Sequence, residues 1–505
     1  MMANKMKLTE LLQGWVKCDD DNILIGGLTL NTRHLKPGDL FIAIKGLHFD
    51  GRAYLSEAIS QGASAILCEA QGLETFLPKT AYSIPIIPVT NLESFLGKLA
   101  KRFYADPSQE LDVIGVTGTN GKTTSTYVLA QALTRLRKPC AVMGTLGYGF
   151  IPELTDCALT TPDAISLQKY LYELKNKSAK AVAMEVSSHG LMQNRVNSLE
   201  IKSALFTNLT QDHLDYHGTM EAYGKAKQKL FQFPSLTRAV INADSPYADK
   251  MLRAISRQIP VASYTLQNTM NAIAFKNTLT ICVKSLTQNH KGIIAKLDTP
   301  WGEGVLRSSL LGEFNLSNLL GVLAELCLQG FTLEESLHAL SFAMCPPGRM
   351  QRIGGIRTPQ IIIDYAHTPD ALEKALKAAR DHCERRLWCV FGCGGDRDKD
   401  KRAKMGHIAA QYADRVVVTS DNPRTEEPFA IIDDIWQGLT TQQRENAVQE
   451  IDRKSAIEYA IKHALAIDTI LIAGKGHENY QIIGHETIPF SDAKCASEIL
   501  GEENT

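Results

Sequence analysis

Short apolar runs alternate with amphipathic stretches along most of the 505-residue chain, which is typical of an α/β protein. In the first ninety or so residues, the runs at 40–46, 64–70 and 84–90 predict strands. The stretches 52–61 and 92–104 have the spacing of amphipathic helices, and the polar break "ADPSQE" follows the second. This part is predicted to be a small α/β domain.

The middle of the chain predicts a mostly parallel sheet with an added antiparallel piece. Apolar strands are predicted at 111–118, 179–186 and 203–209, and short alternating segments follow at about 275–310. A long apolar helix is predicted at 314–330. This mixture indicates a second α/β domain.

After the Pro/Gly-rich candidate hinge "CPPGRMQRIGG" (345–355), strands and helices alternate regularly, which predicts a doubly wound, Rossmann-like domain. Four of its strands end in polar clusters, "DYAHTPD", "GCGGDRD", "SDNPR" and "GKGHE". Ligands bind at the carboxyl ends of parallel strands, so four such clusters favour a binding site over ordinary polar loops. The predicted domains are 1–91, 92–345 and 346–505.

Bulk composition narrows the function classes. The formal net charge of -1 gives no reason to expect a nucleic acid or an anionic membrane as partner. The N-terminal stretch lacks the apolar core of a signal peptide, and no apolar run is long enough to span a membrane. The eleven cysteines show no paired framework, so we expect reduced thiols in a cytoplasmic protein. A zinc site at Cys389 and Cys393 is disfavoured, because no second His/Cys pair has matching spacing.

The strongest local signal is "VIGVTGTNGKTT" (113–124), where an apolar strand enters a glycine-rich turn and then a helix from about Ser125. Glycines let backbone N–H groups surround a phosphate, and the helix N-terminus adds a favourable dipole. Lys122 suits the β- and γ-phosphates of a nucleotide, and the Thr123 hydroxyl suits Mg²⁺. The loop is a variant, because the usual G-x-x-x-x-G-K-[ST] pattern needs glycine where this chain has Val116.

Two downstream segments supply further metal-binding chemistry. Glu185 ends the apolar run in "AVAMEV", where an enzyme with a phosphate loop needs a carboxylate for Mg²⁺. The segment "TQDHLDYHG" (210–218) then offers two aspartates and two histidines, His213 among them. Alone, this segment fits a zinc site or an ordinary turn. Next to a nucleotide loop, a second set of Mg²⁺ ligands is favoured.

Eight segments together make the chain similar to the Mur ligases of peptidoglycan synthesis. They are "GVTGTNGKTT", "MEVSSHGL", "FTNLTQDHLDYHG", "GEFNLSNLL", "DYAHTPDALEKAL", "FGCGGDRD", "DNPRTEEP" and "AGKGHENYQ". The similarity extends from about residue 25 to about residue 495 and is specific in combination, because the variant phosphate loop alone also fits folylpolyglutamate synthetases. The resemblance implies three domains: one that grips a UDP sugar, a central ATPase, and a Rossmann-like domain that receives an amino acid.

Within the family, the motifs most resemble the branch that adds meso-diaminopimelate to the D-Glu γ-carboxylate of UDP-MurNAc-L-Ala-D-Glu, with ATP and Mg²⁺. The resemblance implies that ATP phosphorylates this carboxylate and that the amine of the amino acid attacks the acyl phosphate. Phosphate is a far better leaving group than a carboxylate oxygen, so the protein's task is charge neutralisation and positioning. A cytoplasmic monomer without membrane insertion is expected.

The resemblance also implies roles for individual residues. The positions that match ATP-binding residues are Gly118, Thr119, Asn120, Gly121, Lys122, Thr123, Thr124, Asn315, Arg349 and Asp364. Those that match UDP-substrate contacts are Leu30, Thr32, Leu47, His48, Phe49, Thr160, Thr161, Ser187, Gln193 and Arg195. Those that match diaminopimelate contacts are Arg397, Asp421, Asn422, Pro423, Arg424, Gly474 and Glu478. Leu159 departs from the family, because relatives can have Asn at this position.

Catalytic roles are implied for Lys122, Glu185, His213 and Lys227, and metal binding for Thr123, Glu185, His213 and Lys227. Lys227 would act as a carbamate, since it occupies the position of the family's carbamylated lysine. A carbamate turns this cation into an anion that can help to bind a second Mg²⁺. Composition alone predicts something different, namely that Lys225, Lys227 and Lys229 form a solvated helix face.

The nearest alternatives are a lysine-adding homologue and a folylpolyglutamate synthetase. A P-loop NTPase that acts as a switch or motor is a further alternative, but it leaves the four polar clusters of the last domain unexplained. A non-catalytic nucleotide-binding module is disfavoured by Lys122, Thr123 and Glu185, which are the residues that phosphoryl transfer needs.

Arg424 in "DNPR" bears on the choice between these ligases. meso-Diaminopimelate is lysine with an extra carboxylate at the far end of its side chain, and a planar guanidinium can grip both oxygens of that group. Pro423 restricts the backbone before Arg424, at the tip of a predicted strand. Glu478 would then accept the distal ammonium. The alternative is a structural Arg424 that pairs with Glu426 or Glu427.

Overall fold

The computed structural model describes residues 5–16, 18, 22–46, 49–77, 83–255, 258–268 and 278–501. The chain divides into two compact units. The first comprises Met1–Lys122, Arg137–Ala239 and Tyr247–Pro260, and the second comprises Thr123–Leu136, Val240–Pro246 and Val261–Thr505. The division therefore falls inside one helix, after Lys122, and inside one strand, after Ala239.

The N-terminal part of the first unit is built on a four-stranded parallel sheet in the order β3-β4-β5-β6, preceded by the antiparallel pair β1 and β2. Its elements are β1 (Met6–Lys7), α1 (Leu8–Leu12), β2 (Leu24–Ile25), β3 (Gly27–Thr29), β4 (Asp39–Ala43), α2 (Leu55–Ser60), β5 (Ala65–Glu69), β6 (Ile86–Val89) and α3 (Leu92–Phe103). The three predicted strands are confirmed. The helix predicted at 52–61 begins as a 3-10 turn at Gly51–Tyr54 and is α-helical only in α2.

The rest of the first unit contains strands in the order β10-β9-β8-β11-β7-β12-β13. The elements along this stretch of the chain are β7 (Asp112–Thr117), α4 (Lys122–Arg135), β8 (Cys140–Gly144), β9 (Gly147–Phe150), β10 (Glu153–Thr155), α5 (Ala164–Asn176), β11 (Ala181–Glu185), α6 (Ser188–Met192), β12 (Ile201–Phe206), α7 (Leu214–His217), α8 (Met220–Gln228), β13 (Arg238–Asn242) and α9 (Ala248–Ala254). Helix α4 after Lys122 and strand β13 after Ala239 belong to the second unit. Strands β7, β8, β11 and β12 are parallel, and β9 and β10 are antiparallel additions. The predicted parallel sheet is thus confirmed.

Helix α4 begins at Lys122 and not at about Ser125, so the prediction of its first residue was wrong. Lys122 and Thr123 already have helical conformation. The helix N-terminus therefore lies directly against the glycine-rich turn, which places the first backbone N–H groups of the helix at the phosphate loop.

The second unit opens with strands that carry the predicted antiparallel piece. Its elements in this part are β14 (Val261–Thr265), β15 (Leu279–Asn289), β16 (Gly292–Thr299), β17 (Gly302–Ser308), α10 (Glu313–Leu328) and α11 (Leu333–Ser341). Strand β14 is parallel to β15, whereas β15, β16 and β17 form an antiparallel meander. The alternating pattern at about 275–310 correctly predicted this meander within the described residues.

The C-terminal part of the second unit has a six-stranded sheet in the order β18-β19-β23-β20-β21-β22, with a small hairpin of β24 and β25. Its elements are β18 (Gln351–Gly354), β19 (Gln360–Asp364), α12 (Pro369–Asp381), β20 (Leu387–Phe391), α13 (Asp400–Tyr412), β21 (Arg415–Val418), α14 (Pro428–Trp436), α15 (Thr441–Arg444), β22 (Ala447–Gln449), α16 (Arg453–His463), β23 (Thr469–Ala473), β24 (Tyr480–Ile483), β25 (Glu486–Pro489) and α17 (Asp492–Leu500). All strands of the sheet are parallel except β18.

Alternate residues of these strands point to opposite faces and form two separate apolar cores. On β20, Cys389 and Phe391 pack with residues of α12, α13 and α14, whereas Trp388 and Val390 pack with residues of α16 and α17. The predicted doubly wound domain is confirmed. The end of the candidate hinge at 345–355 forms the edge strand β18, and the hinge itself stays a prediction.

The three large sheet regions fall within the three predicted segments of the chain, whose limits at 91/92 and 345/346 stay predictions.

All eleven cysteines are free thiols, as predicted. Within the described ranges, no helix combines the length and the apolarity that crossing a membrane requires.

Candidate active site

The phosphate loop between β7 and α4 is held by the loop that follows the neighbouring strand β12. Gly118 has a φ of +154°, and a Cβ atom here would lie 1.9 Å from Thr207 Oγ1, so only glycine fits. Thr119 N donates to Asn208 O at 2.9 Å, and Asn120 N donates to Asn208 Oδ1 at 3.0 Å. Thr207 and Asn208 were not among the predicted site residues, although "FTNLTQDHLDYHG" placed them at a strand tip.

Two lysines converge on one carbonyl of this loop. Lys122 Nζ donates to Gly118 O at 2.9 Å and to Thr119 O at 2.8 Å, and Lys227 Nζ donates to Gly118 O at 2.8 Å. Two amino groups at one point of a glycine-rich loop favour a ligand with several negative charges, such as a polyphosphate.

The expectation that Lys227 lies on a solvated helix face was wrong. Its side chain is only 1% exposed, whereas the Lys225 side chain on the same helix is 69% exposed. Helix α8 buries Tyr223 and Lys227, which are one turn apart, on its inner face. Burial, together with the nearby Lys122 charge, lowers the pKa of Lys227 well below its ordinary value.

Glu185 is buried at the carboxyl end of β11, next to the strand that leads into the phosphate loop. Its Oε1 accepts a hydrogen bond from Thr145 N at 2.9 Å, and its Oε2 accepts one from Thr145 Oγ1 at 3.3 Å. Gly144 leaves room for this carboxylate, because a Cβ there would lie 2.2 Å from Glu185 Oε1. Each carboxylate oxygen retains capacity for one more partner.

The structure brings four of the predicted UDP-substrate residues together beside Glu185. Thr161 Oγ1 donates to Glu185 O at 2.9 Å and accepts from Ser187 N at 3.0 Å. Arg195 Nη1 donates to Thr161 O at 2.6 Å, and its Nε donates to Gln193 Oε1 at 2.9 Å. Thr160, the fifth such residue in this region, shares a hydrogen bond of 3.1 Å with Thr145. Leu159, where relatives can have Asn, is exposed.

His213 lies in an aromatic and histidine cluster near this network. Its ring centroid is 4.9 Å from that of His189 and 6.1 Å from that of Tyr223. Burial lowers the pKa of His189 and of His217, which favours their neutral forms. In the part of the chain that the structure describes, no three His, Cys, Asp or Glu side chains are arranged to hold a metal ion.

The remaining predicted UDP-substrate residues follow β3 and β4. These strands are parallel neighbours, so their carboxyl ends, with Leu30 after β3 and Phe49 after β4, meet one edge of the sheet. Thr32 is buried and Phe49 is exposed. Leu47 and His48 lie outside the described residues.

The second unit holds the other predicted ATP residues. Asp364 ends β19, and burial raises the pKa of its carboxyl group, while the Arg349 charge opposes this rise. The Arg349 guanidinium lies 4.8 Å from the ring centroid of Tyr365. Its buried Nε makes no hydrogen bond within the described residues. Asn315 Nδ2 donates to Leu311 O at 2.8 Å, and both Thr123 and Thr124 are buried in the first turn of α4.

A cavity of about 420 Å³ opens at the carboxyl ends of β19, β20, β21 and β23. Six of the seven residues predicted to contact diaminopimelate line it, namely Arg397, Asp421, Asn422, Arg424, Gly474 and Glu478. Pro423 is the exception. The four polar clusters of the sequence therefore do converge on one cavity, as the parallel sheet predicts.

A buried lysine that the sequence analysis missed organises one side of this cavity. Lys475 Nζ donates to Asn422 Oδ1 and to Glu478 Oε2, each at 3.1 Å, and Asn422 Nδ2 donates to Glu478 Oε2 at 2.9 Å. Both donors bind the same carboxylate oxygen. Glu478 Oε1 is thereby left for a cationic group of a ligand.

Arg424 does not pair with Glu426 or Glu427 in the described structure. Its Nη1 donates to Gly395 O at 2.8 Å, and its backbone is fixed by Arg424 N donating to Ile482 O at 3.0 Å. Glu426 instead pairs with the buried Arg402 at 2.9 Å, which lowers the pKa of Glu426 to about 2. The Arg424 guanidinium is therefore available to an anionic group in the cavity.

Three family models match the chain in succession. They are described as the Mur ligase family catalytic domain at residues 24–104, the Mur ligase middle domain at 116–326, and the Mur ligase glutamate ligase domain at 348–476. Together they cover most of the chain.

Two full-length relatives of this chain share one name. UDP-N-acetylmuramoyl-L-alanyl-D-glutamate–2,6-diaminopimelate ligase of Coxiella burnetii is 45% identical over 98% of this chain and 100% of its own length. The protein of that name from Pseudomonas putida is 47% identical over 94% of this chain and 95% of its own length. A solved structure of a ligase with this name is 36% identical, covers 98% of this chain and 99% of its own, and superposes with a TM-score of 0.71.

Proposed function

This chain belongs to the Mur ligase family, and we propose that it adds meso-diaminopimelate to the D-Glu γ-carboxylate of UDP-MurNAc-L-Ala-D-Glu at the expense of ATP. We propose this amino acid because Arg424 and Glu478 both line the cavity of about 420 Å³. A guanidinium and a carboxylate in one cavity complement the carboxylate and the ammonium at the far end of meso-diaminopimelate.

The chemistry follows from the poor leaving ability of carboxylate oxygen. The γ-carboxylate attacks the γ-phosphorus of ATP, the bond to the bridging oxygen breaks, and ADP leaves. The amine then attacks the acyl carbon, and phosphate leaves with the former carboxylate oxygen. Lys122, at the start of α4, supplies positive charge where the transferring phosphoryl group develops negative charge.

We propose that Mg²⁺ is held by Thr123, Glu185, His213 and a carbamylated Lys227. Two of these donors fit the ion best, because the buried Glu185 carboxylate with its spare lone pairs and the Thr123 hydroxyl are hard oxygen ligands. When bound, Mg²⁺ neutralises phosphate charge. The protein contributes the fixed position of Glu185, which Thr145 holds through two hydrogen bonds.

A carbamate on Lys227 requires a neutral amine, because only its lone pair can attack CO₂. The new N–C bond forms as the amine loses a proton, and the product is an anion. The buried position of Lys227 and its lowered pKa favour that neutral amine. A negative group there would also relieve the repulsion between Lys122 and Lys227.

The substrates of the proposed reaction are a nucleotide-linked sugar peptide, an amino acid and ATP. We propose that the chain works on them in the cytoplasm as a monomer, in the synthesis of cell-wall precursors.

Oxygen labelling tests the acyl-phosphate route directly. With ¹⁸O in the D-Glu γ-carboxylate, one labelled oxygen is expected in the released phosphate, because the leaving phosphate takes an oxygen of that carboxylate with it. Mass spectrometry of phosphate and product measures this. If all of the label stays in the peptide product, the route is wrong.

Replacing Lys227 with Ala is expected to lower turnover by about 100-fold or more, because the site loses the anion that would help to bind metal. Small carboxylates such as formate or acetate should restore part of the activity. Lys225→Ala, on the exposed face of the same helix, is the control and should keep wild-type turnover. Wild-type activity in Lys227→Ala would contradict the assigned role.

A further inference from the structure

Arg453 and Asp492 form a fully buried ion pair behind the amino-acid cavity. Both side chains are 0% exposed, and the contact is bidentate, with Nε to Oδ1 and Nη2 to Oδ2 both at 2.7 Å. Burying a pair of charges costs desolvation energy, and such pairs are often no more stabilising than apolar side chains of the same volume. The presence of this buried ion pair is therefore not explained by its contribution to stability alone.

The remaining hydrogen bonds of Arg453 supply a further reason for the pair. Its Nη1 donates to Ser420 O at 3.1 Å, and its Nη2 donates to Ala473 O at 3.0 Å. Ser420 follows β21 and Ala473 ends β23, and β20 lies between these two strands in the sheet. One guanidinium thus links the tips of two strands that do not pair with each other.

These two tips are the starting points of the loops that line the cavity. Asp421, Asn422 and Arg424 follow Ser420 directly, and Gly474 and Glu478 follow Ala473. The loops approach closely, since a Cβ on Gly474 would lie 2.5 Å from Asp421 Oδ2. A small displacement of either strand tip therefore changes the distance between the groups on the two loops.

We propose that Arg453, held by Asp492, is a positioning residue that sets the separation of the Arg424 loop and the Glu478 loop, and thereby the fit of the amino-acid substrate. Arg453 is absent from the cavity lining and acts through the two loops. The charge of Arg453 also faces Asp421. Burial raises the pKa of Asp421, and the charges of Arg453 and Lys475 oppose this rise. The proposal rests on the proposed function only for the identity of the amino acid.

The test replaces the ion pair with apolar side chains in the full-length protein. The double variant Arg453→Met, Asp492→Leu removes both members of the ion pair, and Lys475 still faces Asp421, so we expect the variant to fold. We expect the KM for meso-diaminopimelate to rise at least about tenfold, because misplacement of binding groups by about 1 Å is costly. The preference over L-lysine should fall with it, while the KM values for ATP and the UDP substrate change less than about twofold.

A second variant covers the case in which the double variant does not fold. Arg453→Lys keeps the charge but cannot reach both carbonyls and Asp492 at once, so its KM for meso-diaminopimelate should lie between those of the wild type and the double variant. An unchanged KM in a folded Arg453→Lys or double variant would overturn the proposal.

The matched control is Asp468→Asn. Asp468 is also buried in this domain and accepts hydrogen bonds from Leu465 N at 3.0 Å and from Trp388 Nε1 at 3.4 Å, at the amino ends of β20 and β23. It should lower the Tm and leave every KM unchanged, and a rise in the diaminopimelate KM here would assign the effect to general loosening of the sheet. If the wild type prefers another amino acid, the proposed function fails, and the same KM comparison with that amino acid still tests Arg453.

Discussion

Replacing Lys122 with Ala is expected to reduce ligase turnover by about 1,000-fold or more, with a folded protein. Phosphoryl transfer spreads negative charge over the γ-phosphate oxygens, and a positioned cation acts on that charge more strongly in the transition state than in the ground state. Lys122 Nζ is held at Gly118 O and Thr119 O, which places its charge in the phosphate loop.

The measurement is phosphate release with saturating substrates, together with a thermal unfolding curve. The Tm should change by only a few degrees, because Lys227 still donates to Gly118 O in the variant. Lys122→Arg is a useful second variant, since it keeps the charge but changes the shape of the donor. A folded Lys122→Ala protein with near-normal turnover would show that the phosphate loop is misassigned.

Replacing Arg424 with Ala is expected to lower kcat/KM for meso-diaminopimelate by about 100- to 1,000-fold and to raise kcat/KM for L-lysine. The guanidinium is not consumed by an ion pair with a neighbouring carboxylate in the described structure, since Glu426 pairs with Arg402. Its loss removes a charge-assisted, bidentate contact to the distal carboxylate. Lysine lacks that carboxylate, and in the variant its binding no longer leaves a guanidinium desolvated and unpaired.

Steady-state kinetics with both amino acids measure this effect, and the KM values for ATP and the UDP substrate should stay close to those of the wild type. Arg415→Ala is the matched control, because Arg415 lies at the opposite, amino end of the same strand, β21, where it contacts Asn446. If kcat/KM falls equally for both amino acids, Arg424 stabilises the loop and does not recognise the side chain of the amino-acid substrate.

Local patterns predicted most of the fold because its strands are short, apolar and bounded by polar or glycine-rich turns. The alternation after residue 355 also predicted that four polar clusters share one sheet edge, since parallel strands leave no other arrangement. The misses have physical causes. The edge strand β18 depends on its pairing with β19 more than on its own residues, "QRIG".

The charged residues inside the protein were the least predictable part. Lys227 is buried only because α8 turns that face inward, and nothing in a Lys-rich stretch indicates this. Arg453 and Asp492 are 39 positions apart in the sequence, and Lys475 acts through partners on two loops. Such contacts are set by tertiary packing, which periodicity along the chain does not record.

The most direct test of the central claim is the ratio of kcat/KM for meso-diaminopimelate to that for L-lysine, measured on the wild-type protein with ATP and UDP-MurNAc-L-Ala-D-Glu. Lysine would leave the Arg424 guanidinium desolvated and unpaired, and sites built on such pairing discriminate by about 10,000-fold, against about 10- to 200-fold for shape alone. We therefore predict a ratio of about 10,000 or more. Equal use of the two amino acids would contradict the account and place the protein in the lysine-adding branch.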